Sequence, residues 1–179
     1  MSLYRQPPAD THVLCVDEMG PTAAKTYLAA RWYGQRPTIE ADYGRRGKVW
    51  TFGAFEPATG QALTWCADGR TSANFVAFLN QIVTTWTEGQ LILIADNLST
   101  HKTLDVLLWA LAHPRVSFLF QPTYAPWLNL IEPWWKTLRS LALKGRCFAS
   151  ADQITQAIAR ATHYWNAHRH PYQWRRLFN

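Results

Sequence analysis

LILIADNLSTHKT, residues 91–103, runs five apolar residues straight into an acid, an amide and, shortly after, a histidine and a lysine. An apolar run with no polar alternation reads as a strand covered on both faces, as in the middle of a parallel or mixed sheet. Such sheets carry ligand and catalytic groups at the carboxyl ends of their strands. Asp96 is therefore a site candidate, although Asp is also a common turn residue and position alone leaves both readings open.

Outward from this segment the periodicity keeps changing. HVLCVDEMG reads as a second buried strand, expected to end on Asp17 with Glu18 following. KVWTFGAFEPATGQALTWCADG gives two β-rich runs joined by EPATGQ, a hairpin. In TSANFVAFLNQIVTTW, Phe75, Phe78, Leu79, Ile82 and Val83 fall at helical spacing, with Thr71 or Ser72 as N-cap. After LILIAD come a helix from about Lys102 to Ala112, stopped by Pro114, and a strand VSFLFQ, stopped by Pro122. A helix from Trp127 to about Leu143 turns Leu128, Ile131, Trp135 and Leu138 inward, with Asn129, Glu132, Lys136 and Arg139 on a neighbouring face. ADQITQAIARATHYWNA closes the order as a helix burying Ile154, Ala157, Ile158, Ala161 and Trp165. No repeat, low-complexity tract or linker interrupts it. The expectation is one α/β domain, a central mixed five-stranded sheet flanked by helices.

The chain has 179 residues, 48% of them hydrophobic and 17% charged, which suits a packed domain and excludes a disordered one. No apolar stretch approaches the roughly 20 residues of a membrane span, and MSLYRQPPAD lacks the apolar core of a signal peptide. A cytoplasmic protein is expected. Cys15, Cys66 and Cys147 are odd in number and far apart, suggesting buried small residues rather than disulfides or a zinc knuckle. The net charge of +6 is uneven: 8 Lys+Arg face 9 Asp+Glu up to Asp96, and 10 face 3 after it. A basic half of this kind favours a polyanion, although charge alone is equally consistent with a soluble surface.

If the first strand and LILIAD lie side by side and parallel, Asp17 and Asp96 become neighbours, and Glu132 can face both from a helix packed on the sheet. Three clustered carboxylates repel one another unless a cation sits among them. Oxygen-only ligands suit Mg²⁺ or Mn²⁺. Two such ions activate an attacking oxygen and stabilise the leaving oxygen at phosphorus, the chemistry of nucleases and strand transfer. Singly, each acid has a plainer reading: Asp17 closes a strand, and Glu132 pairs with Lys136 on a solvated helix face.

VLCVDE, LILIADNLSTHKT and PTYAPWLNLIEPWWKTL together resemble the three signature blocks of DDE transposases of the mariner superfamily, in its bacterial insertion-sequence branch. The first block ends a strand on Asp17; the second carries Asp96, Asn97 and His101; the third carries Asn129, Glu132 and Trp135. Thirty-five residues separate Asp96 from Glu132, close to the mid-thirties spacing of that superfamily. DYGRRGKVWTFGAFEPATGQ also resembles the family's second and third strands. The resemblance implies a ribonuclease H-like fold, with Asp17, Asp96 and Glu132 as catalytic acids and ligands of two Mg²⁺ (or Mn²⁺) ions per active site. It further implies cleavage of DNA at transposon ends, insertion of the freed 3′-OH into target DNA, and a homodimer on DNA in the bacterial nucleoid. No room for helix-turn-helix modules precedes Asp17, so a single catalytic domain over residues 1–179 is expected. Two rival readings are a ribonuclease H-like nuclease that cuts without joining and a domesticated, non-catalytic DNA-binding subunit.

Asn97, His101 and Asn129 are expected to support the acids. For His101 a phosphate contact, a hydrogen bond orienting Asp96 and a helix-cap role all stand open. Arg45, Arg46 and Lys48 form a short basic patch suited to backbone phosphates, joined as DNA-binding candidates by Lys102, Lys136 and Arg139. HRHPYQWRR, mixing aromatics with cations, suits either distorted DNA or an interface. His163, His168 and His170 are expected at the surface rather than in a metal cluster. Trp135 is expected in the core, with Trp127 and Trp134 bordering the site.

Overall fold

The computed structural model describes residues 2–25, 31–33, 36–38, 46–122 and 129–172. In chain order the elements are α1 (Ser2–Arg5), β1 (Thr11–Ala23), β2 (Arg31–Tyr33), β3 (Arg36–Thr38), β4 (Lys48–Phe55), β5 (Ala62–Ala67), α2 (Ser72–Thr85), β6 (Gln90–Ala95), a 3-10 turn (Ser99–Lys102), α3 (Leu104–Ala112), β7 (Val116–Phe120), α4 (Ile131–Leu138), a π-helical turn (Arg139–Leu143) and α5 (Ala151–Ala167). Five strands form one sheet in the order β5-β4-β1-β6-β7. β6 is parallel to both β1 and β7, whereas β4 is antiparallel to β1 and β5, so the sheet is mixed. β2 and β3 pair separately. No helix among the described residues is long and apolar enough to cross a membrane.

Strand alternation divides the core into two layers. Leu14 and Val16 of β1 meet Phe75, Phe78, Leu79 and Ile82 of α2 and Val106 and Trp109 of α3. Cys15 and Met19 point the other way, to Ile131, Trp134, Trp135 and Leu138 of α4 and Ile154 and Ile158 of α5. Each fully buried Leu, Ile or Phe contributes roughly 1.5–3 kcal/mol, so these layers hold both helix pairs on the sheet. Thr71 caps α2, its Oγ1 accepting from the Asn74 N–H at 3.1 Å.

Several boundaries differ from expectation. Asp17 does not close its strand: β1 runs on to Ala23 because β4 keeps pairing with it as far as Ala23↔Lys48, while the parallel pairing with β6 stops at Cys15↔Ile94. The helix expected from Lys102 is split, since Thr103 is extended between the 3-10 turn and α3. α3 leaves Leu104, Leu107, Leu108 and Leu111 exposed. α4 begins at Ile131, not Trp127. Pro133 sits in its first turn, where an N–H would have no intrahelical acceptor; Trp127 and Leu128 lie outside the described residues. Trp134 belongs to the core, stacked on Phe55 and tilted against Trp165. Val83 and Trp165 are half-buried. Of the cysteines, Cys15 is buried and Cys66 half-buried, but Cys147 is exposed, contrary to expectation.

Candidate active site

Carrying the β1–β6 register two residues past Cys15↔Ile94 sets Asp17 level with Asp96. Adjacent strands lie about 4.8 Å apart, which makes these two carboxylates neighbours at the point where β6 ends and β1 continues. Burial pushes the Asp17 carboxyl up to about 6. Hydrogen bonds from the Glu18 N–H and the Trp135 indole oppose that rise, and the negative charges of Glu18 and Asp96 add to it.

Two side chains fix α4 against this strand. Asn129 Nδ2 donates to the Val16 carbonyl at 3.2 Å while its Oδ1 accepts from the Ile131 N–H at 3.3 Å, so one buried amide ties β1 to the start of α4. Trp135 Nε1 donates to Asp17 Oδ2 at 3.2 Å. Its ring lies over Gly53, the residue paired with Asp17 on β4, where an added Cβ would meet ring carbons at 2.8 and 3.1 Å. Glu132 stands between these anchors, exposed, in the first turn of α4. The fold thus brings Asp17 and Asp96 together and sets Glu132 on the helix that docks beside Asp17. Among the described residues, no group of three or more His, Cys, Asp or Glu is already gathered as a metal site.

Asp96 is held from its other side. Its Oδ1 accepts from the Leu98 N–H at 3.0 Å and forms an ion pair with His101, whose Nδ1 lies 3.0 Å from it and 3.4 Å from the Asp96 carbonyl, and His101 Nε2 meets Glu18 Oε1 at 2.8 Å. The His101 side chain is 0% exposed and that of Glu18 2%. Phe75 packs on the imidazole with ring centres 4.3 Å apart. Carboxylate oxygens on both sides of the ring favour its protonated form. Burial alone would depress the His101 pKa; the hydrogen bonds to Asp96 and Glu18 outweigh it and raise the value to about 9. The Asp96 carboxyl lies below the usual carboxylate range, first through His101, against the effect of burial, and with help from the Leu98 N–H and the Arg70 charge. With both nitrogens engaged, His101 has none left for a phosphate.

The other expected residues lie further out. Asn97 Nδ2 donates to the Gln121 carbonyl and its Oδ1 accepts from Lys102, tying the end of β6 to that of β7. Lys102 also sits over the Phe120 ring at 4.8 Å. Lys136, Arg139, Ser140, Leu143 and Lys144 line an open groove of about 460 Å³, and Arg139 Nε donates to Met19 Sδ at 3.1 Å. Arg46 and Lys48 are exposed at the start of β4; Arg45 lies outside the described residues. His163, His168 and His170 are exposed, and of HRHPYQWRR only residues 168–172 are described.

Sequence reasoning missed Glu18 as a partner of His101. Strand alternation was the available signal: Glu18 faces opposite to Asp17, into the α2 layer, where a carboxylate needs a partner. It also missed Arg70, whose guanidinium lies 4.9 Å from the centre of the Trp50 ring and whose charge reaches Asp96. Nothing in the one-dimensional pattern marks that contact.

Residues 12–155 match the family model described as DDE superfamily endonuclease. The chain is 27% identical over 134 residues to the insertion element IS630 uncharacterized 39 kDa protein of Shigella sonnei, an alignment covering 73% of this chain and 39% of that protein. Among solved structures, the BIV integrase catalytic core domain superposes with a TM-score of 0.59 at 16% identity, over 90% of this chain and 91% of that one. The HTLV-2 integrase catalytic core domain in complex with magnesium gives 0.54 at 12%, over 86% and 82%. A chain of the simian T-cell lymphotropic virus intasome gives 0.60 at 11%, over 94% and 56%. These likenesses establish the fold as ribonuclease H-like.

Proposed function

Because the chain belongs to the DDE superfamily endonuclease family, we propose that it supplies the catalytic domain of an insertion-sequence DNA transposase, cutting phosphodiester bonds at transposon ends and joining the freed 3′-OH to target DNA. The observation that carries this reading is the register that, carried past Cys15↔Ile94, sets Asp17 level with Asp96 where β6 ends, beside a helix that carries Glu132 and is docked through Asn129 and Trp135.

The donor set fits a hard divalent cation. Asp17, Asp96 and Glu132 offer only oxygen, and an Asp17 carboxyl pushed up to about 6 by burial marks a place where positive charge is wanted. Asp17, Asp96 and Glu132 would hold two Mg²⁺ or Mn²⁺ ions, which would supply activation of the attacking oxygen and neutralisation of the leaving one. The HTLV-2 integrase core, which shares this fold, was solved in complex with magnesium. Asp96 brings one constrained oxygen, Oδ1, and one, Oδ2, that accepts no hydrogen bond among the described residues; Asp17 has Oδ2 fixed by Trp135. Lys136 and Arg139, following Glu132 on the same helical run, would neutralise backbone phosphates, which positions DNA without reading its sequence. Lys48, Arg45, Arg46 and Lys102 extend that role. A homodimer on DNA, in the cytoplasm and nucleoid of a bacterium, completes the proposal. The chain spans 39% of the Shigella relative's length, so recognition of the transposon ends is assigned to no residue here.

The test is a strand-transfer assay with a pre-cleaved 3′-OH end and Mg²⁺ or Mn²⁺. Joined product that disappears in Asp17→Ala, Asp96→Ala and Glu132→Ala supports the proposal. Cleavage without joining identifies a nuclease instead, and DNA binding with neither activity identifies a non-catalytic subunit.

A further inference from the structure

We propose that Glu18 is a positioning residue that acts through His101 to pin Oδ1 of Asp96 and so leaves Oδ2 as the single oxygen Asp96 offers a metal ion. This rests on the reading of Asp96 as a ligand. It does not follow from that reading, because an aspartate at a strand end is free to rotate about χ2 and present either oxygen or both.

The structure removes that freedom in three steps. Glu18 and Asp17 are successive residues of β1 and face opposite sides of the sheet, so one strand carries both a candidate ligand and, behind it, the anchor for the second ligand. Glu18 reaches across the end of β6 to His101 Nε2 at 2.8 Å, and Phe75 closes the ring's face, so the imidazole has no other orientation that keeps both nitrogens bonded. His101 then forms an ion pair with Asp96, its Nδ1 lying 3.0 Å from Oδ1 and 3.4 Å from the Asp96 carbonyl, while the Leu98 N–H donates to the same Oδ1 at 3.0 Å, so a charge and a donor converge on that one oxygen. Oδ2 accepts no hydrogen bond among the described residues. A plain structural ion pair would need only the Glu18–His101 contact; the second convergence on Oδ1 is what gives the pair a consequence for Asp96. Outer partners of this kind typically change metal affinity 10–100-fold when removed, hence about that range here.

The test is Mn²⁺ binding by isothermal titration calorimetry on the full chain, with thermal unfolding in EDTA as the measure of architecture. Glu18→Ala should weaken Mn²⁺ binding about 10–100-fold, while Glu18→Gln, which still accepts from His101, should bind within about threefold of the unmodified chain. Equal affinity in Glu18→Ala and the unmodified chain overturns the proposal, even if the melting temperature falls, because the pair is then architectural only. If the unmodified chain binds Mn²⁺ and Asp96→Asn abolishes it while Glu18→Ala does not, the metal-site reading survives alone. No Mn²⁺ binding in the unmodified chain sinks both. Should Glu18→Ala fail to fold, a crystal structure of the unmodified chain decides. Asp96 Oδ1 held by both the Leu98 N–H and His101, with Oδ2 turned away from them, supports the proposal; an Asp96 carboxylate rotated so that Oδ1 is released, or with both oxygens free, overturns it.

Discussion

Replacing Gly53 with alanine probes the joint between fold and site. Gly53 pairs with Asp17 across β1–β4 and lies directly beneath the Trp135 ring, where a Cβ would collide with Cη2 and stand 2.8 and 3.1 Å from Cζ2 and Cζ3. Trp135 is 2% exposed and packed among α4, α5 and the sheet, so it cannot swing out to solvent without opening that layer. Overpacking of a filled core costs about 1–3 kcal/mol. A displaced ring also loses the indole donor on Asp17, a hydrogen bond to a charged group worth about 1.5–3 kcal/mol. Alanine recovers roughly 0.5–1 kcal/mol of backbone entropy relative to glycine. The balance is a loss of about 1.5–5.5 kcal/mol, or about 3–22 °C in Tm for a domain of this size. Urea unfolding with an unchanged m-value measures it, and the Trp135 indole proton in an NMR spectrum reports the ring's movement. Losing the indole donor also raises the Asp17 pKa further, so divalent binding weakens at neutral pH. A Gly53→Ala protein with unchanged stability and an unmoved indole resonance would refute the reasoning.

Asp17→Asn, Asp96→Asn and Glu132→Gln should each lower Mg²⁺-dependent cleavage by about 10³-fold or more, roughly 4 kcal/mol of lost transition-state stabilisation; Asp17→Asn should meanwhile raise Tm, since it removes a desolvated like charge, and a variant that cuts normally rejects that acid's assignment. His101, with its pKa raised to about 9, contributes stability that is fully present below its ordinary value of 6.5 and lost as pH rises through 9. In EDTA the stability advantage of the unmodified chain over His101→Leu should therefore shrink by about 3 kcal/mol between pH 6 and pH 10, and a constant difference would contradict the cationic ring. Thr71→Ala should cost about 1 kcal/mol through loss of the α2 cap, read by thermal unfolding. Lys136→Ala and Arg139→Ala should each reduce the slope of log affinity for duplex DNA against log salt by about 0.9; unchanged slopes would place the DNA elsewhere.

The sheet and its helices were legible in the sequence because their patterns were strong. LILIA is apolar throughout and is parallel-paired on both sides, and α2 shows its Phe75, Phe78, Leu79 and Ile82 stripe at helical spacing behind a true N-cap at Thr71. Boundaries were less legible where one pairing ends while another continues. Asp17 reads as a strand end because its neighbourhood turns polar, yet β4 carries β1 on to Ala23. Pro133 offered a usable signal for the start of α4, since proline belongs in a first turn, but the apolar stripe running back through Leu128 masked it. In the site, Asp17 and Asp96 were legible as acids that follow apolar strand runs, and parallel pairing of β1 with β6 sets them level. The Glu18–His101 contact spans 83 positions and shows only once β1 and the turn after β6 are in place. Arg70 over Trp50 joins an exposed residue outside the strands to a half-buried residue of β4 and leaves no periodicity at all.

The central claim is that Asp17, Asp96 and Glu132 hold divalent ions jointly. A crystal structure of the chain soaked in Mn²⁺, with an anomalous map collected at the manganese edge, tests it most directly. The account predicts two peaks between Asp17 and Asp96, with Asp96 Oδ2 and a Glu132 oxygen about 2.0–2.2 Å from manganese. Manganese absent from this pocket, or bound there with Glu132 turned to solvent, would contradict it.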